Sequence, residues 1–62
     1  MDLNARRELC ATEGVTLDGQ RAKITGAQLE FAHVTTLDGR LSAEFAWSTV
    51  ERIVKRDAAF KF

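Results

Sequence analysis

A small α+β protein, mainly β, is the fold class this sequence predicts: an antiparallel four- to five-stranded meander or small barrel carrying a short helix. Three observations support it. The tetrapeptide Thr-Leu-Asp-Gly occurs twice, at Thr16–Gly19 and Thr36–Gly39. Each copy sits between segments that alternate apolar and polar residues, and Asp-Gly in that setting is the strongest short-range hairpin signal. Near the C-terminus, Ser48-Thr49-Val50-Glu51 reads as a capping box leading into an apolar helical stripe.

The two hairpins do not need the same register. Gly19 and Gly39 supply the positive-φ positions, and Asp18 and Asp38 can bond their own backbone in the turn. In the first hairpin, a two-residue Asp18-Gly19 turn pairs Leu17 with Gln20 and Val15 with Ala22. Val15, Leu17, Ala22 and Ile24 then share one face, with Thr16, Arg21 and Lys23 on the other. In the second, a two-residue turn scatters the aromatics over both faces. A three-residue Leu37-Asp38-Gly39 loop, with Gly39 at the bulge, sorts them better. It pairs Thr35 with Leu41, His33 with Ala43 and Phe31 with Phe45, and brings Leu29 near Trp47. The opposite face then carries Ala32, Val34 and Thr36 against Arg40, Ser42 and Glu44. A slip of one residue exchanges the two faces, so the expected core rests on this choice. With Gly26 bending the chain between the hairpins, strands are expected at about 14–18, 20–25, 28–36 and 40–46.

The capping box opens a helix expected at about 49–56. Val50, Ile53 and Val54 lie on one side, and Glu51 and Lys55 form an i,i+4 pair on the solvent side. Asp57, Ala58 and Ala59 form the exit. In the closing strand, 59–62, Phe60 and Phe62 share a side opposite Lys61. Pairing of this strand with the first closes an SH3-like or Sm-like barrel and removes exposed edges. The alternative is an open sheet with the 49–56 helix across one face. At the N-terminus, Asp2 or Asn4 caps a helix at about 3–12, stopped by Gly14. The whole forms one small domain, 1–62, with residues 1–13 as a helical extension.

Sixty-two residues bury only roughly 60% of the surface that the unfolded chain exposes. Such a core needs a disulfide, a metal, a partner chain or unusually good packing. One cysteine, Cys10, and one histidine, His33, supply neither an internal disulfide nor a four-ligand zinc site. Self-association is therefore expected, as a homodimer or higher homo-oligomer, and a net charge of zero opposes it little. The same charge balance removes the long-range positive field that drives non-specific nucleic-acid binding. The charged N-terminus lacks the apolar run of a signal peptide, and no stretch approaches the ~20 apolar residues of a membrane span. With a lone cysteine, a reducing, cytoplasmic setting follows as the expectation.

No motif carries catalysis. The four glycines are spread one per turn and make no phosphate loop, and no nucleophile–histidine–acid grouping is assembled. No enzyme activity, cofactor or metal is expected. On the favoured register His33 sits on the apolar face; on the other it faces Glu44. Cys10 reads as a small half-buried hydrophobe, although Arg6 one turn earlier would favour a thiolate. The candidate partner-binding residues are Trp47, at the strand-to-helix corner, with Arg52, Lys55 and Arg56 on the helix that follows. These point to a small module that binds another protein. The alternative is a nucleic-acid-binding small barrel using the basic helix and exposed aromatics such as Phe31. The two differ in salt dependence, which is steep for phosphate contacts.

The succession of "LDG", "AKITG", "FAHV", a second "LDG" and "EFAWSTVERIV" over residues 15–62 resembles short accessory proteins encoded by bacteriophage and prophage genomes. The resemblance is one of pattern, with no chemically specific motif. It implies a host-interacting or accessory factor that acts by binding, and it assigns no functional residues.

Overall fold

Asp2 starts the first helix as its N-cap, with its Oδ1 accepting the Ala5 backbone N–H at 2.8 Å. The computed structural model of the protein describes residues 1–57 and 60–62, with Arg56 and Asp57 traced by backbone. Helix α1 spans Leu3–Cys10, two residues short of expectation. It closes early because the Thr12 hydroxyl takes the Glu8 carbonyl at 2.9 Å and the Thr12 N–H takes that of Leu9 at 3.1 Å. Gly14, at φ +87°, serves the loop beyond.

Strands β1 (Thr16–Leu17) and β2 (Gln20–Thr25) pair as expected, Leu17 opposite Gln20 and Thr16 opposite Arg21. Asp18 and Gly19 both have positive φ, 52° and 76°, the geometry of a type I′ turn. The Ala22 N–H donates to Val15 O at 2.9 Å, so the ladder extends one pair further. Val15, Leu17 and Ile24 are buried, and Arg21 and Lys23 face out. Strand β3 (Phe31–Thr36) follows a turn in which Gly26, at φ +89°, leaves no room for a side chain. A Cβ there would lie 3.0 Å from His33 Cδ2 and 3.2 Å from the Phe31 carbonyl.

The second hairpin corrects the expected register by one residue. Strand β4 (Ser42–Ala46) sets Ala32 opposite Phe45, His33 opposite Glu44 and Val34 opposite Ala43. Ala32, Val34 and Thr36 are buried, while Phe31 is 44% exposed. The aromatics are thus divided between faces, an arrangement that a three-residue loop would avoid. Two physical causes account for it. The sheet curls tightly, and the concave side of so small a curl takes Ala22, Ala32 and Ala43, where Phe31 and His33 would overpack. The Thr36 hydroxyl also donates to Asp38 Oδ1 at 2.7 Å and accepts the Leu41 N–H at 3.1 Å. With Thr36 N–H bonded to Leu41 O at 3.0 Å, Thr36 pairs with Leu41, and the loop runs over four residues, Leu37 to Arg40. The Gly39 N–H still bonds Thr36 O at 2.9 Å, so the turn lies where Asp38-Gly39 placed it.

Helix α2 spans Trp47–Asp57 and begins directly at the end of β4. Ser48 therefore lies inside its first turn instead of capping it. The Glu51 carboxylate pairs with Lys55 at 2.8 Å and with the Met1 amino group at 3.9 Å. Val50 is fully buried and Val54 packs on the core, as the stripe implied. The four strands form a curled antiparallel sheet in the order β1-β2-β3-β4, with α1 and α2 packed against it. Beyond the helix, Phe60–Phe62 line β1 in a parallel bridge. Thr16 N–H bonds Phe60 O, Phe62 N–H bonds Thr16 O, and Asp18 N–H bonds Phe62 O, all at 2.9 Å. The expected closing strand, 59–62, is reduced to this isolated bridge, so the sheet keeps four strands and curls into a half-barrel; Ala58 and Ala59 lie outside the described residues. Phe62 meets Phe45 with ring centroids 5.2 Å apart, so side chains join the two margins of the curl.

The Thr36→Val variant tests the register lock, because it keeps shape while stranding the Leu41 N–H. A loss of about 1–3 kcal/mol is expected in urea unfolding at neutral pH. The Thr36 hydroxyl, followed by the Arg40 N–H, holds the Asp38 carboxyl below the usual carboxylate range. A depressed folded pKa stabilises above the unfolded value and is lost as pH falls through the folded one. The gap between wild type and Thr36→Val should therefore narrow in acid.

Candidate interaction surface

The structure takes Trp47 off the surface. Its side chain is only 4% exposed, and its Nε1 donates to the Leu29 carbonyl at 2.9 Å. The Arg6 guanidinium of α1 lies 5.1 Å from the ring centroid and reaches the same carbonyl at 3.4 Å. The proposed contact residue is instead a core anchor, since the indole at the β4–α2 corner fills the gap beneath α1 and satisfies its one donor. No local signal distinguishes these outcomes: the cover comes from a helix more than thirty residues earlier.

The helical basic residues fare differently. Arg52 is exposed on α2. Lys55 is exposed but spends its charge on Glu51, and that pairing raises the Lys55 pKa and lowers that of Glu51. The Arg56 side chain lies outside the described residues. The helix therefore presents less free positive charge than its sequence suggests. His33 faces outward, with Nδ1 3.6 Å from Glu44 Oε1, which is the arrangement of the register not favoured. Cys10 packs against the core, and burial pushes its thiol pKa up, partly offset by the Ala27 backbone N–H. That shift opposes a reactive thiolate. Among the described residues, no three His, Cys, Asp or Glu side chains gather where a metal could bind, and no helix is long and apolar enough to cross a membrane.

What the fold does assemble is a continuous outer face. Alternation turns Arg21, Lys23 and Thr25 of β2, Phe31, His33 and Thr35 of β3, and Ser42, Glu44 and Ala46 of β4 to one side. Phe31 lies opposite Ala46, with the 53%-exposed Leu29 just before it. These form an apolar patch beside the His33–Glu44 pair. The edges of the sheet are unequal. Residues 60–62 cover β1, but no strand among the described residues covers β4. Because Thr36 and Leu41 form a hydrogen-bonded pair, alternation assigns the next such pair to Val34 and Ala43. Ser42 and Glu44 therefore turn their backbone N–H and C=O groups away from β3. Sequence reading missed this edge as a specific site, because which residues face out depends on the register.

No family model, curated protein or solved structure matches this chain.

If Trp47 anchors the core, Trp47→Ala should cost about 3–5 kcal/mol. That approaches the whole stability of roughly 3–9 kcal/mol expected for 62 residues. Far-UV circular dichroism on this variant should report loss of fold at room temperature, while Trp47→Phe, which loses chiefly the indole donor, should remain folded with a lower melting temperature.

Proposed function

We propose that the chain is a non-enzymatic interaction module that works as a homodimer and binds another protein. The free edge of β4 supports the reading best, and the occupant that fits it is β4 of a second copy. In an antiparallel β4–β4 pair, the outward-turned Ser42 and Glu44 must make the hydrogen-bonded pairs. Placing Glu44 opposite its twin sets like charges face to face, which is unfavourable. Placing Ser42 opposite Glu44 of the second copy removes that repulsion. It also sets Ala43 against its twin and lays the exposed Leu41 against Phe45 of the second copy. The edge thus avoids like-charge contact and matches apolar surface with apolar surface, and the zero net charge of the chain offers no opposing long-range repulsion.

The pairing leaves Leu29 and Phe31 exposed on each copy, and these apolar patches are where the target protein binds. Burial pushes the Cys10 thiol pKa up, which opposes a thiolate nucleophile and agrees with a non-enzymatic role. The resemblance to phage accessory proteins agrees with a factor that acts by binding.

Sedimentation equilibrium should find a dimer whose dissociation changes little with salt. Ser42→Pro should yield a folded monomer, because that N–H faces away from β3 and the only bond lost within the copy is the long, exposed Thr35–Ser42 hydroxyl contact at 3.4 Å. A monomeric wild type, or a Ser42→Pro variant that still dimerises, overturns the dimer. Phe31→Asp should leave the dimer intact and abolish recovery of a stoichiometric protein partner from lysate. Recovery that depends on nucleic acid would instead favour the nucleic-acid reading.

A further inference from the structure

Away from the β4 edge, the outer face carries a second feature. The loop after α1 and the strands β1 and β2 enclose a half-open groove of about 460 Å³, lined by Glu13, Gly14, Thr16, Arg21, Lys23 and Leu37 among others. Arg21 and Lys23 are two residues apart on β2 and both exposed, so their side chains start about 7 Å apart on the same face. Thr16 lies opposite Arg21 and also bridges Lys61. Phe60 and Phe62 pack toward the core, which turns Lys61 outward, about 10 Å from Arg21 across two strand spacings. Three cations therefore surround the outward-facing Thr16. Among the described residues, Glu13 is the acidic side chain of the groove lining, and Leu37, 63% exposed, forms an apolar wall beside the cations.

We infer that this groove binds a phosphate-bearing ligand of nucleotide size, with Arg21 and Lys23 of its lining holding the phosphates, Lys61 reaching in from beyond Thr16 outside that lining, and Leu37 covering the apolar part. Long, flexible side chains starting about 7–10 Å apart can converge on more than one phosphate group. The groove volume lies within the usual range for small-ligand sites. Arg21 supplies a planar fork for bidentate phosphate contact, while the two lysines act as point charges. The Thr16 hydroxyl adds a neutral donor at the centre. Arg21 and Lys23, joined by the sequence-distant Lys61, create a local positive field on a chain with no net charge. The inference is independent of the dimer, since β1 and β2 lie at the opposite margin of the sheet from β4.

Amide NMR titration of the full chain at constant ionic strength, with pyrophosphate, ADP and a short oligothymidine as probes, tests it. Saturable shifts centred on residues 13–16, 21–23 and 37 are expected with pyrophosphate and ADP, with ADP the tighter. Arg21→Gln and Lys23→Gln should each weaken ADP by roughly tenfold or more, as loss of a charge-assisted contact does. Glu13→Gln should tighten it, and Arg52→Gln on α2 should leave it unchanged. Tighter ADP binding in the Glu13→Gln variant is a readout that a damaged fold cannot mimic. Pyrophosphate without a gain from ADP would overturn the nucleotide-sized ligand, and preferential binding of the oligothymidine would assign the cations to a nucleic-acid strand. Shifts that follow ionic strength alone, or that survive the Arg21→Gln and Lys23→Gln substitutions, would overturn the site.

Discussion

The Thr36 hydroxyl ends β3 by donating to Asp38 and accepting from the Leu41 N–H, and the surfaces built on β3 and β4 depend on the register it secures. With Thr36 opposite Leu41, the inner row reads Ala32, Val34 and Thr36, and the outer row reads Phe31, His33 and Thr35. Shift the pairing by one residue and both rows trade places. The same exchange would move the backbone groups of Ser42 and Glu44 off the free edge. Packing and hydrogen bonding agree on the outcome. The concave side of a tightly curled sheet accepts alanine and valine, and the buried Thr36 hydroxyl is engaged with the turn.

A second tie holds the two helices together. The Leu29 carbonyl receives the Trp47 indole and the Arg6 guanidinium, which in turn stacks over the ring. This joins α1, the turn before β3 and the start of α2, three segments distant in sequence. Leu9 of α1 lies in the same core as Val50 of α2. The N-terminal helix is therefore part of the packing, and without it the indole would lose its lid. For a chain of this length, which lacks a disulfide, such shared contacts spread the core over nearly every element.

These constraints bear on function by dividing the outer face into separate regions. One margin of the sheet is closed by Phe60–Phe62, which adds Lys61 to the cations of β2. The other margin, β4, has no covering strand among the described residues, and the apolar Leu29 and Phe31 stand close to it. The proposed binding role draws on three features of this face: a curled sheet, an edge with free hydrogen-bonding groups, and side chains of differing character displayed along it.

Much of the architecture was legible in local chemistry. Asp18-Gly19 and Asp38-Gly39 mark turns because few other residues accept left-handed backbone, and Val50 and Val54 mark a helix face by their spacing. The first hairpin's register, the bend at Gly26 and the inward Phe60 and Phe62 all follow from such short-range rules. The second register did not follow, since the aromatic pattern favoured Phe31 inside and only the curvature of the assembled sheet excludes it. Trp47 was misplaced for a related reason: a corner position suggests exposure, but Arg6 and α1 arrive from the far end of the chain to cover it. The triad of Arg21, Lys23 and Lys61 likewise exists only once the C-terminal residues lie beside β1. Sequence alone determines turns and amphipathic faces, because those depend on neighbours a few residues apart. Tertiary structure decides which face is buried and which charges meet, because those depend on the space that distant segments leave one another.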